Sequence, residues 1–145
     1  MQQYNVELTA SAEKTYRKLH DEAQEHIDAG DTSSAKVTLF RMVDEAIDKI
    51  IPHDPFSRAN ALSGPLSNVF RVSKGRLRIY YAASSKERQI VILYISETLR
   101  KGGDMRDPYS IFTRMVMSGQ FDEVFTKLGV RMPPRGISLR PPSYQ

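Results

Sequence analysis

The chain has no cysteine among its 145 residues, which excludes disulfides, thiol catalysis and cysteine-ligated zinc. Freedom from cysteine also fits a reducing compartment. Long apolar runs are missing too: none approaches the roughly 20 residues that span a bilayer. The opening MQQYNVELTASAEK lacks the cationic and apolar regions of a signal peptide. These absences lead us to expect a cytoplasmic protein with no membrane partner. Histidine is scarce. His20 and His26 lie six apart on different faces of one predicted helix, and His53 sits in a proline-bracketed loop, so no shared metal site is expected. No Walker loop, dinucleotide fingerprint or serine-nucleophile elbow appears, and no cofactor is expected.

What is present is an ordinary hydrophobic fraction, enough for one core-bearing domain, and a net charge of +4. The charge permits a nucleic-acid partner without requiring one. Tyr4, Val6 and Leu8 alternate with Asn5 and Glu7, as in a short strand. Thr9 or Ser11 can cap the helix that follows, whose apolar face runs through Ala12, Tyr16, Leu19, Ala23 and Ile27. Gly30 ends it, and Thr32 or Ser33 opens a second helix through Val37, Phe40, Val43, Ile47 and Ile50. The short loop predicts an antiparallel pair. Pro52 and Pro55 stop the second helix. Three strands are predicted next: Val69 to Ser73, Arg76 to Ala83 and the nearly all-apolar Gln89 to Ser96, which reads as a central strand. Helical periodicity returns at Tyr109 to Met117 and again at Phe121 to Leu128. The predicted class is α+β: an antiparallel sheet with strand, two-helix hairpin, three-strand meander and C-terminal helix. One domain is expected over residues 1–130. A proline-rich basic tail, expected to be mobile, occupies residues 131–145.

The cations recur in one region. On the second predicted strand of the meander, Arg76, Arg78 and Tyr80 point away from Leu77, Ile79 and Tyr81. Arg71 alternates with Phe70 and Val72 on the strand before, and Lys74-Gly75 is the turn between them. Cross-strand neighbours lie about 5 Å apart, so Arg71 and Arg78 are placed to reach one phosphate. Guanidinium is planar, always charged and able to bind phosphate oxygens in pairs. The loop after the apolar strand adds Arg100, Lys101 and Arg106, with Gly102-Gly103 allowing close backbone approach, and Tyr109 follows. A merely solvated surface competes with this reading, because Glu87, Glu97, Asp104 and Asp107 lie among the cations. Tyr80, Tyr81 and Tyr94 read as core or rim aromatics ahead of base-stacking platforms. Asp107 reads as a loop or helix-cap residue.

The element order and the run FRVSKGRLRIYYAASSKERQIVILYIS resemble the RelE/ParE toxins of bacterial type II toxin–antitoxin systems. The continuation TLRKGGDMRDPYSIFTRMVMSG is most similar to the YhaV branch. The resemblance implies a metal-free endoribonuclease that cleaves mRNA, in several members only on the ribosome. It also implies a cognate antitoxin partner, and operator DNA bound only through the antitoxin complex. Arg78, in Gly75-Arg76-Leu77-Arg78, matches a strand arginine central to RelE-like members; Arg71 stands near a lysine position; Arg100 or Arg106 matches a second arginine; Tyr109 matches a late tyrosine. The implied catalytic group is Arg78, Arg71, Arg100 and Tyr109. Arg76, Lys74, Lys101, Arg106 and Tyr80 are expected to bind RNA. In the implied reaction a ribose 2′-hydroxyl attacks phosphorus, leaving a 2′,3′-cyclic phosphate, while arginines stabilise the phosphorane. Guanidinium, with a pKa above about 12, is a poor base. Tyr109 is the candidate base, since nearby cations lower a phenol's pKa from about 10; Lys101 is the alternative, as acid or phosphate ligand. Two other readings compete: a ParE-like inhibitor of DNA gyrase without nuclease activity, and a non-catalytic RNA-binding module.

Overall fold

Alternation and helical periodicity both become structure. Residues 3–66, 68–97 and 107–131 are described by a computed structural model. β1 (Asn5–Leu8) leads into α1 (Ala10–Asp28), whose first turn is closed by the Thr9 hydroxyl accepting from the Ala12 N–H at 3.1 Å. Such a cap contributes about 1 kcal/mol. Gly30, at φ +87°, turns the chain in the left-handed region that favours glycine. α2 (Ala35–Glu45) is capped by Ser34, whose hydroxyl accepts from the Val37 N–H at 3.3 Å. That corrects the expected Thr32 or Ser33: only Ser34 stands three residues before Val37, the first buried residue of the helix. The helical path continues through a π turn (Ala46–Ile50) into α3 (Ile51–His53), where the Ile51 N–H bonds the Ala46 carbonyl and Pro52, which has no N–H, precedes the end of the helix by one residue. α1 and α2 run antiparallel, with the Tyr16 and Phe40 rings 5.3 Å apart and Lys36 Nζ 3.1 Å from Glu22. Ile27, expected on the buried stripe of α1, is 37% exposed, because it lies on the last turn near the hairpin bend.

Three strands form the meander: β2 (Phe70–Lys74), β3 (Leu77–Ser84) and β4 (Gln89–Ser96). Gly75 and Arg76 make the two-residue β2–β3 loop, and Gly75 has φ +55°, as a tight hairpin with glycine first requires. The four-stranded sheet has the order β1-β4-β3-β2. β1 joins parallel to β4, pairing Asn5 with Gln89 and Leu8 with Ile92, so the antiparallel meander is completed into a mixed sheet. β4 is therefore central, as its apolar run implied. Between β3 and β4 the register shifts: Tyr80 pairs with Tyr94, but Tyr81 pairs with Ile92. The extra residue is Leu93. Leu93 and Tyr94 consequently both join the same core, and the pleat beyond them is re-aimed.

Each face of the sheet carries its own core. Leu77, Ile79, Tyr81, Ile90 and Ile92 pack with Leu19, Val43 and Ile51 of the helical hairpin. Tyr80, Ala82, Val91 and Leu93 pack on the other face with α4 (Pro108–Met117) and α5 (Asp122–Leu128). Phe112, Val116, Phe121, Phe125 and Leu128 supply that second layer, all of them buried. Among the described residues no helix is long and apolar enough to cross a membrane.

Candidate active site

The site grows from the β2–β3 hairpin. Register places Arg71 opposite Tyr80 and Ser73 opposite Arg78. By alternation Arg71, Ser73, Arg78 and Tyr80 share the α4 face, while Phe70 and Val72 enter the first core. The two arginines are thus diagonal neighbours, not directly opposite, a separation of about 7–8 Å that long side chains bridge easily. Both are half-buried. Arg78 Nη1 donates to the carbonyl oxygens of Gly75 at 2.7 Å and Leu77 at 2.9 Å, so the guanidinium is fixed against its own turn. A guanidinium has five N–H donors. Both donors of Nη1 are engaged here, and the Nε–Nη2 edge is the fork that matches a phosphate.

The bulge completes the arrangement from β4. Ser96 pairs with Arg78, and Tyr94 pairs with Tyr80. Burial raises the Tyr94 phenol's pKa, while a Ser96 hydrogen bond and the Arg114 charge act against that rise. From the other side comes the start of α4. Asp107 is buried and caps the helix: its Oδ1 accepts from the Tyr109 N–H at 2.8 Å and the Ser110 N–H at 3.2 Å, and its Oδ2 accepts from the Ser110 hydroxyl at 3.0 Å. A carboxylate suits the positive end of a helix. Burial raises the Tyr80 pKa above its ordinary value; Arg71 and Arg78 act to lower it and Asp107 to raise it. Asp107 is thereby the helix cap that the sequence suggested, and its charge also acts on the Tyr80 phenol.

The remaining expected site residues separate. Tyr80 cannot be a base-stacking platform: its ring is fully buried and stacks on Phe112 with centroids 4.2 Å apart and planes 15° off parallel. Its reading as a core aromatic fits, whereas the expected contact with RNA does not, because alternation says which residues share a face, not what covers it. Lys74 is exposed at the end of β2 and pairs with Leu77, which assigns it by register to the opposite face from Arg71 and Arg78. Arg76 is exposed in the hairpin loop. Tyr109 is half-buried in the first turn of α4, its ring packed against the second core two residues after Asp107. Arg100, Lys101 and Arg106 lie outside the described residues, as does the tail from residue 132. Among the described residues no group of histidine, aspartate and glutamate side chains could hold a metal ion. His20 instead packs edge-on against Phe40 at 5.3 Å.

Comparison with known proteins gives a family. The profile of the YhaV toxins, described as toxins with endonuclease activity of a toxin–antitoxin system, matches residues 4–132. No curated protein matches the chain. Among solved structures, the chain is similar to the RelBE2 toxin–antitoxin complex of Mycobacterium tuberculosis, at 22% identity over 66% of this chain and 92% of that one, with a TM-score of 0.47. It is also similar to the isolated E. coli RelE toxin, at 14% identity over 78% and 98% of the two chains, TM-score 0.49. The intact E. coli RelBE complex matches at 14% identity over 67% and 99%, TM-score 0.48.

Proposed function

This chain belongs to the YhaV family and is a toxin with endonuclease activity of a toxin–antitoxin system, and on that premise we propose that its substrate is mRNA and its chemistry that of a metal-independent ribonuclease. The observation that carries this reading is the placement of Arg71 and Arg78 on one sheet face from adjacent strands, beside the start of α4. In the proposed step the ribose 2′-hydroxyl loses its proton and attacks the adjacent phosphorus. The 5′-oxygen leaves with a proton, giving a 2′,3′-cyclic phosphate and a 5′-hydroxyl. Negative charge grows on the phosphorane oxygens, and guanidinium groups already in place stabilise it more than they stabilise the ground state. Arg78, with one edge fixed by its own turn, is the primary phosphate ligand, and Arg71 is the second.

Tyr109 is the proposed base, standing at the first turn of α4 next to Asp107. Arg100, Lys101 and Arg106 belong to the nine-residue stretch 98–106. Residues flanking both ends of that stretch support their inclusion, since Ser96 pairs with Arg78 and Asp107 acts on Tyr80. The proposed partner is a cognate antitoxin that covers this basic face, with operator DNA reached only through the complex. The proposed place of action is the cytoplasm, on transcripts free or engaged by ribosomes.

Inducible expression with mapping of transcript 5′ ends tests the reading, wild type beside Arg78→Ala. Discrete new 5′-hydroxyl ends and growth arrest are expected with the wild type and neither with the variant. Cleavage of ribosome-free RNA by the purified protein should persist in EDTA. A folded Arg78→Ala protein that still arrests growth would refute the assignment.

A further inference from the structure

The second core holds an atom that its packing does not explain. The Tyr80 ring stacks on Phe112 at 4.2 Å and on Tyr94 at 6.0 Å, and a phenylalanine would make the same stacks. Its hydroxyl is buried and has no hydrogen-bond partner of good geometry among the described residues. Such burial is destabilising by itself. The surroundings suggest its use. Arg71 lies directly opposite on β2, Arg78 two residues earlier on β3, and Asp107 at the start of α4.

We propose that the Tyr80 hydroxyl is a positioning group for Arg71, a buried neutral oxygen that receives one guanidinium N–H and turns the other donors toward the scissile phosphate. The inference rests on the nuclease reading above. A carboxylate in this place would orient Arg71 but cancel its charge, whereas a phenol orients without neutralising. Burial keeps the phenol protonated by raising its pKa. Arg71 lowers that pKa as a donor does, yet the pair does not meet the geometry of a formed hydrogen bond, so the contact here is loose. Catalytic hydrogen bonds commonly tighten only as substrate engages. The stack on Phe112 fixes the ring, and through it the oxygen, to the same helix that Asp107 begins.

Tyr80→Phe removes the single oxygen and keeps the stack. The variant is expected to melt at or above the wild-type temperature. Its kcat on a fluorogenic RNA oligonucleotide, or on transcripts with translating ribosomes, should fall about tenfold or more while KM moves less than about twofold. The same substitution in an Arg71→Ala background should change nothing further. In arginine-15N-labelled protein bound to a non-cleavable 2′-deoxy analogue of the RNA, the Arg71 Nε–H resonance should be sharp and slowly exchanging in the wild type and averaged in Tyr80→Phe. Wild-type kcat in Tyr80→Phe overturns the proposal, and so does a loss that persists in the Arg71→Ala background. A wild-type protein that cleaves no RNA, but whose Arg71 resonance still depends on Tyr80, supports the positioning role and removes the nuclease reading. The two failures are therefore distinct.

Discussion

Tyr80 and Tyr81 are adjacent on β3, both fully buried, and they behave differently because the pleat sends them into different cores. Tyr81 enters the core beneath the helical hairpin, stacks on Phe70 at 5.3 Å, and donates its hydroxyl proton to the Pro55 carbonyl at 2.7 Å. Tyr80 packs beneath α4 on Phe112, and the charges of Arg71, Arg78 and Asp107 act on its phenol. The hairpin face is mostly aliphatic, with Leu, Ile and Val against helix. The opposite face carries a run of stacked rings, Tyr94, Tyr80, Phe112 and Phe121, and is edged with arginine at the hairpin end. One face of the strand pair is scaffold and the other carries chemistry. A period of two residues achieves both at once.

The sharpest way to break this comparison is to mutate neighbours across the pleat. Arg78→Ala should lower cleavage by about 10² to 10³-fold, roughly 2.7–4 kcal/mol of transition-state stabilisation, with little change in melting temperature. Ile79→Ala should do the reverse, costing about 2–5 kcal/mol of stability through the cavity left under the helices, with specific activity per folded molecule retained. Parallel denaturation and cleavage assays on the two variants would read both effects. If Arg78→Ala unfolds the protein as Ile79→Ala does, the division into scaffold and chemistry fails.

Alkaline titration tests the scaffold side next. The Tyr81 phenol is pushed up to about 12, mainly by burial, and Tyr16 likewise to about 12 by burial and its hydrogen bond to Asp44. In the unfolded chain both ionise near 10. The unfolded state therefore sheds protons that the folded state keeps. The stability is fully present below about pH 10 and is lost as pH rises through about 12. Tyr81 alone corresponds to a loss on the order of 2 kcal/mol. Urea denaturation at neutral pH and at several points between these limits should show the decline, and Tyr81→Phe should remove its share and leave the part due to Tyr16.

At neutral pH the same substitution sharpens the contrast between the tyrosines. Tyr81→Phe leaves the Pro55 carbonyl without its donor and should cost about 1–2 kcal/mol, measured by denaturant midpoint. Asp107→Ala removes three hydrogen bonds at the start of α4 and should cost about 1 kcal/mol of stability. The smallest effect is expected away from both cores. Lys127→Ala, which breaks an exposed pair with Glu7 at 3.4 Å, should change stability by less than about 0.5 kcal/mol.

Much of this molecule was legible before any coordinates. A hydroxyl cap at Thr9 or Ser11, the helical hairpin, the three-strand meander and the central place of Gln89–Ser96 all follow from local chemistry and periodicity, and the structure selects Thr9. So does the shared face of Arg71 and Arg78, since both alternate with core residues on strands joined by a glycine-led turn. Other features were not legible. Whether Ser34 or an earlier hydroxyl caps α2 depends on a distance that differs by one residue of loop. The parallel pairing of β1 with β4 depends on where the helical hairpin returns the chain, and no local pattern encodes that. The bulge at Leu93 breaks the alternation that sequence reading relies on, and it brings Tyr94 and Ser96 to the arginine face.

Along β2, β3 and the helices the sequence by itself determined which side chains share a face, because strand and helix periods are properties of the backbone. It also determined the cations available at the hairpin, because an arginine is charged wherever it stands. Only the tertiary structure decided that Tyr80 is sealed beneath α4 instead of offered to a base, and that the charge of Asp107 acts on the same phenol as Arg71 and Arg78. The reason is that burial and electrostatic neighbourhood come from elements far apart in the chain: Phe112 covers Tyr80 from 32 residues away, a contact no local period can announce.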